Sequence, residues 1–182
     1  RTVPEDRDRR IFPGVYAPVM VMEQGRRVIK PMRYQCRPVG KPAFYDTKYP
    51  GTYNARRDNL EGFWKGQFGH THGVIVCDAF YENVSRHKVE GRELSESEAE
   101  ENFVLEFRPQ PRQEMLVACL YSHWQSDGEE LWSFAAITDE PPVEVAAAGH
   151  DRCIIPIKEE HLDAWLDPDP KKINALYAIL DD

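Results

Sequence analysis

The sequence contains no apolar run that approaches the roughly 18 residues needed to span a bilayer. It also lacks a basic segment followed by an apolar one at its start, because the opening RTVPEDRDRR is almost entirely polar. These absences argue against an integral membrane protein and against a secreted one. We therefore expect a cytoplasmic protein with no membrane partner.

Cysteine is scarce and dispersed, with four residues in 182 and no C-x-x-C pair. This pattern favours neither a zinc ribbon nor a disulfide framework, and it suits a reducing compartment. The sequence has no G-x-x-x-x-G-K phosphate loop and no G-x-S-x-G nucleophile elbow. His70 and His72 could form a metal pair, but no third ligand accompanies them at motif spacing. We expect no metal and no cofactor.

The net charge of −8 is unevenly distributed along the chain. Residues 23–58 hold nine basic residues against three acidic ones, whereas residues 90–106 hold seven glutamates against Arg92. Opposite charges can occupy separate faces, so the acidic total does not exclude a basic groove for nucleic acid. Solvated surface is the alternative interpretation of both segments.

A chain of 182 residues is long enough for one well-buried domain. Strand-like runs through the middle and two helical patterns at the end predict an α+β fold: a single β-rich domain with a largely antiparallel sheet or barrel, and with peripheral and C-terminal helices. Residues 1–14 are predicted to form an N-terminal arm, residues 40–59 an irregular surface loop and residues 90–102 an acidic insertion. The predicted strands cover residues 15–22, 26–37, 73–77, 103–107, 115–124 and 131–138, and the predicted helices cover residues 158–166 and 170–180.

Three polar clusters stand at the ends of apolar runs: Asn54-Ala55-Arg56, Tyr81-Glu82 and His150-Asp151-Arg152. Each alone is compatible with a turn or a solvated surface pair. Together they supply a carboxylate and an imidazole for proton transfer, an amide to hold an oxygen and guanidinium groups for an anion. Glu82 follows two aromatic residues, an environment that tends to raise a carboxyl pKa. The small residues 146–149 predict a strand end that can approach a nucleic-acid backbone.

Cys153 offers a different chemistry, because it lies next to Arg152 and near His150. A cationic neighbourhood can lower a thiol pKa and make the cysteine a nucleophile. Packing in the core is the alternative interpretation. A hydrolase that uses Cys153 and His150 is therefore one of the functions that the sequence leaves open.

The ordered motifs of the chain resemble the SOS response-associated peptidase (SRAP) family over about residues 15–168. Five motifs in one order are far more specific than any one of them. Two earlier segments, M-R-Y-Q-C-R-P at 32–38 and Y-A-P at 16–18, also resemble the family. The five motifs are Y-N-A-R-R-D at 53–58, C-D-A-F-Y-E-N at 77–83, F-A-A-I-T-D-E-P at 134–141, G-H-D-R at 149–152 and W-L-D-P at 165–168.

The resemblance implies a protein of the DNA-damage response that binds single-stranded DNA and shields abasic sites. In this family the N-terminal cysteine condenses with the ring-opened sugar and closes a thiazolidine ring, which leaves a covalent DNA–protein crosslink. By motif position, Asn54 would orient the cysteine, Glu82 would shuttle protons and His150 would assist sugar-ring opening. The family also implies autoproteolytic removal of residues that precede the cysteine. Arginines at four positions would contact DNA, namely Arg33, Arg37, Arg56 and Arg152.

The sequence departs from the family pattern at two functional positions. It begins with Arg1 and its first cysteine is Cys36, so the crosslinking cysteine either lies upstream of Arg1 or has been lost in this member. The paired aromatic residues expected after Pro38 are replaced by Val39-Gly40-Lys41, with Phe44 and Tyr45 as possible substitutes for base stacking. A noncatalytic module that binds single-stranded DNA is the alternative function. We expect a monomer, associated with the nucleoid, whose partners are single-stranded DNA and abasic-site DNA.

Overall fold

The computed structural model describes residues 9–182, so positions 1–8 of the predicted N-terminal arm lie outside the described residues. The α-helices are short, and three further turns have 3-10 geometry. The strands are β1 (Tyr16–Glu23), β2 (Arg26–Tyr34), β3 (Asn54–Arg56), β4 (His72–Cys77), β5 (Phe80–Ser85), β6 (Asn102–Phe107), β7 (Met115–Ser126), β8 (Glu129–Asp139), β9 (Cys153–Ile154) and β10 (Pro156–Ile157). The α-helices are α1 (Tyr45–Lys48), α2 (Arg86–Val89), α3 (Val143–Ala147), α4 (Leu162–Leu166) and α5 (Ile173–Asp181), and the 3-10 turns are Pro50–Tyr53, Arg57–Asn59 and Glu159–His161.

Five strands close into a barrel in the order β1, β2, β8, β7 and β4. Four of the five pairings are antiparallel. The pairing of β2 with β8 is parallel and places Arg33 opposite Ser133. The predicted α+β fold with a largely antiparallel barrel is therefore confirmed.

Alternating side chains of the strands fill the barrel. On β1, Ala17, Val19 and Val21 are buried and their neighbours point outward, as the two-residue period of a strand requires. Gly73 on β4 permits β1 and β4 to approach closely, because a Cβ atom there would lie 2.8 Å from Val19. The Gly73 carbonyl accepts a hydrogen bond of 3.0 Å from the indole of Trp165, which ties α4 to the barrel wall.

The remaining strands lie outside the five-stranded barrel, and the three polar clusters lie on them or next to them. Strand β3 runs parallel to β8, with Asn54 opposite Ala136. Strand β9 pairs with β8 and strand β10 with β7, both antiparallel. Strands β5 and β6 form a separate two-stranded sheet in which Glu82 faces Leu105. The segment that follows α2 continues to β6 without helix or strand, and Arg92 within it pairs with Glu90 and Glu98.

Strands β5, β9 and β10 were not predicted, and two further segments differ from the sequence-based expectation. Residues 40–59, predicted as an irregular loop, contain α1, two 3-10 turns and β3, because Ala55 is buried and the backbone of β3 pairs with β8. Residues 146–149, predicted as a strand end, complete α3 and the turn after it. Helix formation there follows from the high helix propensity of alanine.

His72 is buried in the core, and His70 is exposed in the turn before β4, so the two imidazoles do not form the metal pair considered above. The His72 ring stacks 4.0 Å from Trp165 and 5.5 Å from Phe68, and its Nε2 accepts a 2.8 Å hydrogen bond from the Gly69 amide. Burial is the main cause that lowers the His72 pKa from 6.5 to about 3. The imidazole is therefore neutral in the folded protein.

We expect the neutral His72 to make the protein sensitive to acid. The folded-state pKa lies below the unfolded-state value, so the unfolded chain binds an additional proton below pH 6.5 and stability falls from there toward pH 3. Between pH 6.5 and 4.5 this effect amounts to about 2 kcal/mol. His72→Phe should flatten this pH dependence in urea unfolding, although loss of the Gly69 hydrogen bond lowers stability at every pH. An unchanged pH dependence in the variant would contradict the assignment.

Candidate nucleic-acid interface and reaction site

Glu82 and His150 form the centre of the site. Glu82 lies on β5 and His150 in the loop between α3 and β9, and the His150 Nε2 is 2.9 Å from a Glu82 carboxylate oxygen. Gly149 makes this approach possible, because it adopts a φ of +91° and a Cβ there would lie 3.1 Å from Val84. Two of the predicted catalytic residues are thus in direct contact.

The hydrogen bonds of His150 fix the orientation of its ring. Its Nδ1 is 2.7 Å from the Arg152 carbonyl oxygen, a distance at which Nδ1–H donates and the carbonyl accepts. Nε2 therefore faces Glu82 either as an acceptor, when the carboxyl is protonated, or as a donor, when it is ionised. One proton can move between Nε2 and the carboxylate without movement of either side chain.

The surroundings of Glu82 raise its pKa. Burial is the largest cause, the His150 charge opposes it, and the nearby Asp151 carboxylate raises the pKa further. A carboxyl with a raised pKa holds and releases a proton closer to neutral pH than an exposed glutamate does. The sequence-based expectation of a raised pKa agrees with this environment.

Two of the predicted DNA-contacting arginines lie beside this pair. Arg152 follows His150 by two positions, and its guanidinium makes no hydrogen bond or ion pair to any residue in the described range 9–182. Arg56 is half exposed and holds Asp58 through two hydrogen bonds, of 2.6 and 3.2 Å. The hydrogen bond to Asp58 is the main cause that raises the Arg56 pKa; burial opposes it, and the charge of Asp151 adds to it. Arg152 therefore has no protein partner within the described range, whereas Arg56 already binds the carboxylate of Asp58.

Asn54 reaches the site from β3. It shares one face of this strand with Arg56, since Ala55 between them points into the core. Both residues line an open groove of about 410 Å³. Within residues 9–182 the Asn54 amide makes no hydrogen bond, either to Glu82 and His150 or to any other residue. The groove is bordered also by Tyr45, Lys48, Tyr49, Pro50, Gly51, Thr52, Asn59, Phe63 and Trp64.

Arg33 and Arg37 lie elsewhere, around the buried carboxylate of Asp46. Arg33 donates to one Asp46 oxygen, and the Arg37 Nε donates to the other at 2.5 Å. Burial raises the Asp46 pKa, but the hydrogen bonds from Arg37 and its own backbone amide, with the Arg33 charge, lower the pKa below its usual value. Neither arginine lines the groove. That they also contact DNA stays a prediction.

The four cysteines occupy environments that disfavour a thiolate. Burial raises the pKa of Cys36 to about 12 and the pKa of both Cys77 and Cys153 to about 11, and it raises the pKa of Cys119 as well. The charge of Glu82 contributes at Cys153. Because the thiolate is the nucleophile, Cys153 is suited to packing more than to catalysis.

Three residues of the site carry no signal in the sequence. Tyr34 is partly buried and stacks on Phe134, and burial together with the electrostatic effects of Tyr53 and Glu82 raises its pKa. Asp46 and Thr52 sit in the Gly- and Pro-rich segment, where Asp and Thr are ordinary turn residues.

Solved structures share this barrel and its surrounding elements. A protein from Bacteroides thetaiotaomicron superposes with a TM-score of 0.71 at 14% identity, over 90% of this chain and 68% of that chain. A protein from Bordetella bronchiseptica gives 0.70 at 17% identity over 90% and 78%, and a phage-related protein from the same organism gives 0.64 at 18% identity over 93% and 73%. No curated protein sequence matches significantly. These likenesses define the class of fold.

The family follows from the sequence itself. The family model described as SOS response associated peptidase (SRAP) matches residues 4–182, so the chain belongs to the SRAP family. Membership supports a role associated with DNA damage and with DNA interaction. None of the helices formed by residues 9–182 has the length and apolar character to cross a membrane.

Proposed function

We propose that the protein binds single-stranded DNA and holds an abasic site against Glu82 and His150, where an N-terminal cysteine upstream of Arg1 crosslinks to it. The observation that carries the proposal is the 2.9 Å contact between Glu82 and His150, with Arg56 and Arg152 beside it. A proton-transfer pair between guanidinium groups suits a reaction at a carbonyl next to phosphates. The protein is proposed to act as a monomer on cytoplasmic DNA.

The covalent chemistry is a condensation. The cysteine α-amine adds to the aldehyde carbon of the ring-opened sugar, and loss of one water gives an imine. The thiol then adds across the C=N bond, so that a C–S bond forms and the thiol proton goes to nitrogen. The product is a five-membered thiazolidine ring. Neither a lysine nor an internal cysteine can form this ring, because the amine and the thiol must sit on adjacent carbons.

The residues of the site suit distinct parts of this reaction. Glu82 would give a proton to the leaving hydroxyl of the carbinolamine and take it back from the amine. His150 would assist opening of the sugar ring and exchange the proton with Glu82. The Asn54 amide would orient the cysteine and the reacting carbon. The same amine-centred site would serve the autoproteolytic removal of preceding residues.

The cysteines of the sequence favour a second candidate function if no cysteine precedes Arg1. All four have raised pKa values and none carries a free α-amine. Without an N-terminal cysteine the same surface would bind single-stranded DNA and form no covalent product. A hydrolase that uses Cys153 and His150 has weaker support, because a thiol with a pKa of about 11 is a poor nucleophile at neutral pH.

The binding part of the proposal predicts a defined salt dependence. Arg152→Ala should weaken binding to single-stranded DNA roughly tenfold at low salt and reduce the slope of log K against log salt by about 1, because one phosphate contact is lost. Fluorescence anisotropy with a labelled oligonucleotide at several salt concentrations measures both. Arg27→Ala is the matched control, since Arg27 pairs with Asp163 on α4. Equal effects of the two substitutions would argue against a phosphate contact by Arg152.

A further inference from the structure

Carboxylates lie among the arginines beside the reaction site. Arg56 binds both oxygens of Asp58, with its Nη2 2.6 Å from Oδ2 and its Nε 3.2 Å from Oδ1. A guanidinium binds a phosphate in the same two-pronged geometry. The Asp58 carboxylate therefore occupies the edge of Arg56 that a DNA phosphate would use.

Strand β8 brings Arg152 close to this ion pair. Arg56 on β3 and Ile154 on β9 both lie opposite Thr138, on the two sides of β8. Since neighbouring strands are about 4.8 Å apart, roughly 10 Å separates the two backbones, and Arg152 is two residues from Ile154. The hydrogen bond from Arg56 is the main cause that lowers the Asp58 pKa; burial opposes it, and the charges of Arg56 and Arg152 contribute. One carboxylate thus lies within electrostatic reach of two arginines.

Asp151 adds a second carboxylate to this part of the surface. Its charge acts on Arg56, whose pKa is raised mainly by the hydrogen bond to Asp58 and lowered by burial. The two arginines proposed to hold phosphate therefore share their surroundings with two aspartates. These four side chains carry no net charge together, although the proposed ligand is an anion.

We propose that Asp58 competes with the DNA phosphate: its carboxylate holds Arg56 in the free protein and has to be displaced when a strand binds. The inference rests on the proposed binding of single-stranded DNA. An abasic strand would be retained by its covalent bond, whereas an undamaged strand has only noncovalent contacts. A carboxylate that weakens these contacts promotes release of undamaged strands, so that retention depends on the chemistry at the lesion.

The competition predicts a gain in affinity that depends on salt. Loss of one negative charge a few ångströms from a bound phosphate should tighten binding about fivefold at low salt. Salt screens exposed charges over about 10 Å at 0.1 M and about 3 Å at 1 M, so this gain should shrink as salt rises. The slope of log K against log salt should accordingly become steeper than in the wild type.

Asp58→Asn tests the inference, because it keeps the shape of the side chain and removes its charge. Fluorescence anisotropy with a labelled single-stranded oligonucleotide without a lesion measures the affinity at several salt concentrations. Asp163→Asn is the matched control: Asp163 accepts a 2.7 Å hydrogen bond from Arg27, and its side chain is 67% exposed against 60% for Asp58. The control should change the affinity less than about twofold, since Asp163 pairs with an arginine outside the site.

The outcomes distinguish this inference from the function on which it rests. Weaker binding by Asp58→Asn would show that the carboxylate positions Arg56 for the phosphate, and an unchanged affinity would show that the strand does not displace it. Equal gains in Asp58→Asn and Asp163→Asn would show an effect of net charge alone. Each of these results overturns the competition and leaves the proposed function intact. Absence of binding by the wild type and by both variants would overturn the proposed function.

Discussion

Glu82→Gln should slow crosslinking to an abasic single strand by at least about 100-fold in the protein that carries its N-terminal cysteine. The substitution keeps the shape of the side chain and its contact with His150 but removes the proton that the pair exchanges. The affinity for the strand before crosslinking should change little, because Glu82 is not among the residues proposed to bind phosphate. Denaturing gels at timed intervals measure the rate, and anisotropy measures affinity.

The control for Glu82 lies on the same two-stranded sheet. Glu106 on β6 lies opposite Tyr81 on β5, and its carboxylate accepts a 2.6 Å hydrogen bond from the Tyr81 hydroxyl. Glu106→Gln should leave the crosslinking rate within about twofold of the wild type, as expected of a surface substitution. Equal losses of crosslinking rate in both variants would show that any change in the two-stranded sheet slows the reaction, and that the Glu82 carboxyl has no special role.

The pH dependence gives a second readout of the same pair. Glu82 must be ionised to take a proton from the amine, so the crosslinking rate should fall on the acid side of the profile as the Glu82 carboxyl becomes protonated. Since the Glu82 pKa is raised, the acid side of the profile should lie above that of an ordinary glutamate. In Glu82→Gln the acid side should disappear.

Asp46→Ala should destabilise the protein by about 3 kcal/mol or more, because it leaves two largely buried arginines without their carboxylate. The Asp46 carboxylate accepts from Arg33 and Arg37, and its backbone carbonyl accepts from Gln35 at 2.7 Å. Arg37 also lies over the Trp124 ring, at 4.6 Å from the centroid. The loss should be visible in urea unfolding at pH 7 as a lower midpoint.

Asp58→Ala is the matched comparison, since Asp58 also holds an arginine but its side chain is 60% exposed. Exposed pairs contribute about 1 kcal/mol or less, so the Asp58 variant should unfold close to the wild type. A similar cost in the two variants would contradict the structural role of Asp46. The contrast also tests whether Arg33 and Arg37 stabilise the folded protein through their ion pairs with Asp46.

Much of the fold was accessible from the sequence because strand periodicity is local. The buried residues of β1 alternate along the chain, and the apolar runs identify β4, β7 and β8 as strands. The error at residues 146–149 arose because small residues carry little periodic signal. The short β3 was missed because its pairing partner, β8, lies more than 80 positions later.

The candidate site was predictable in its composition but not in its contacts. Glu82 and His150 stood out by residue type and motif order, and their contact depends on the close approach at Gly149. Arg33 and Arg37 were predicted to contact DNA because their motif resembles the family, whereas the path of the loop brings Asp46 to them as a partner. The buried hydroxyl of Thr52 has no sequence signature at all.

Mass spectrometry under denaturing conditions, applied to the complete purified protein before and after incubation with an abasic single strand, shows whether the crosslink forms. The proposal predicts an N-terminal cysteine and, after incubation, a species whose mass equals protein plus oligonucleotide minus one water. An intact N-terminal cysteine that yields no such species, while the aldehyde of the oligonucleotide remains reactive, would contradict it.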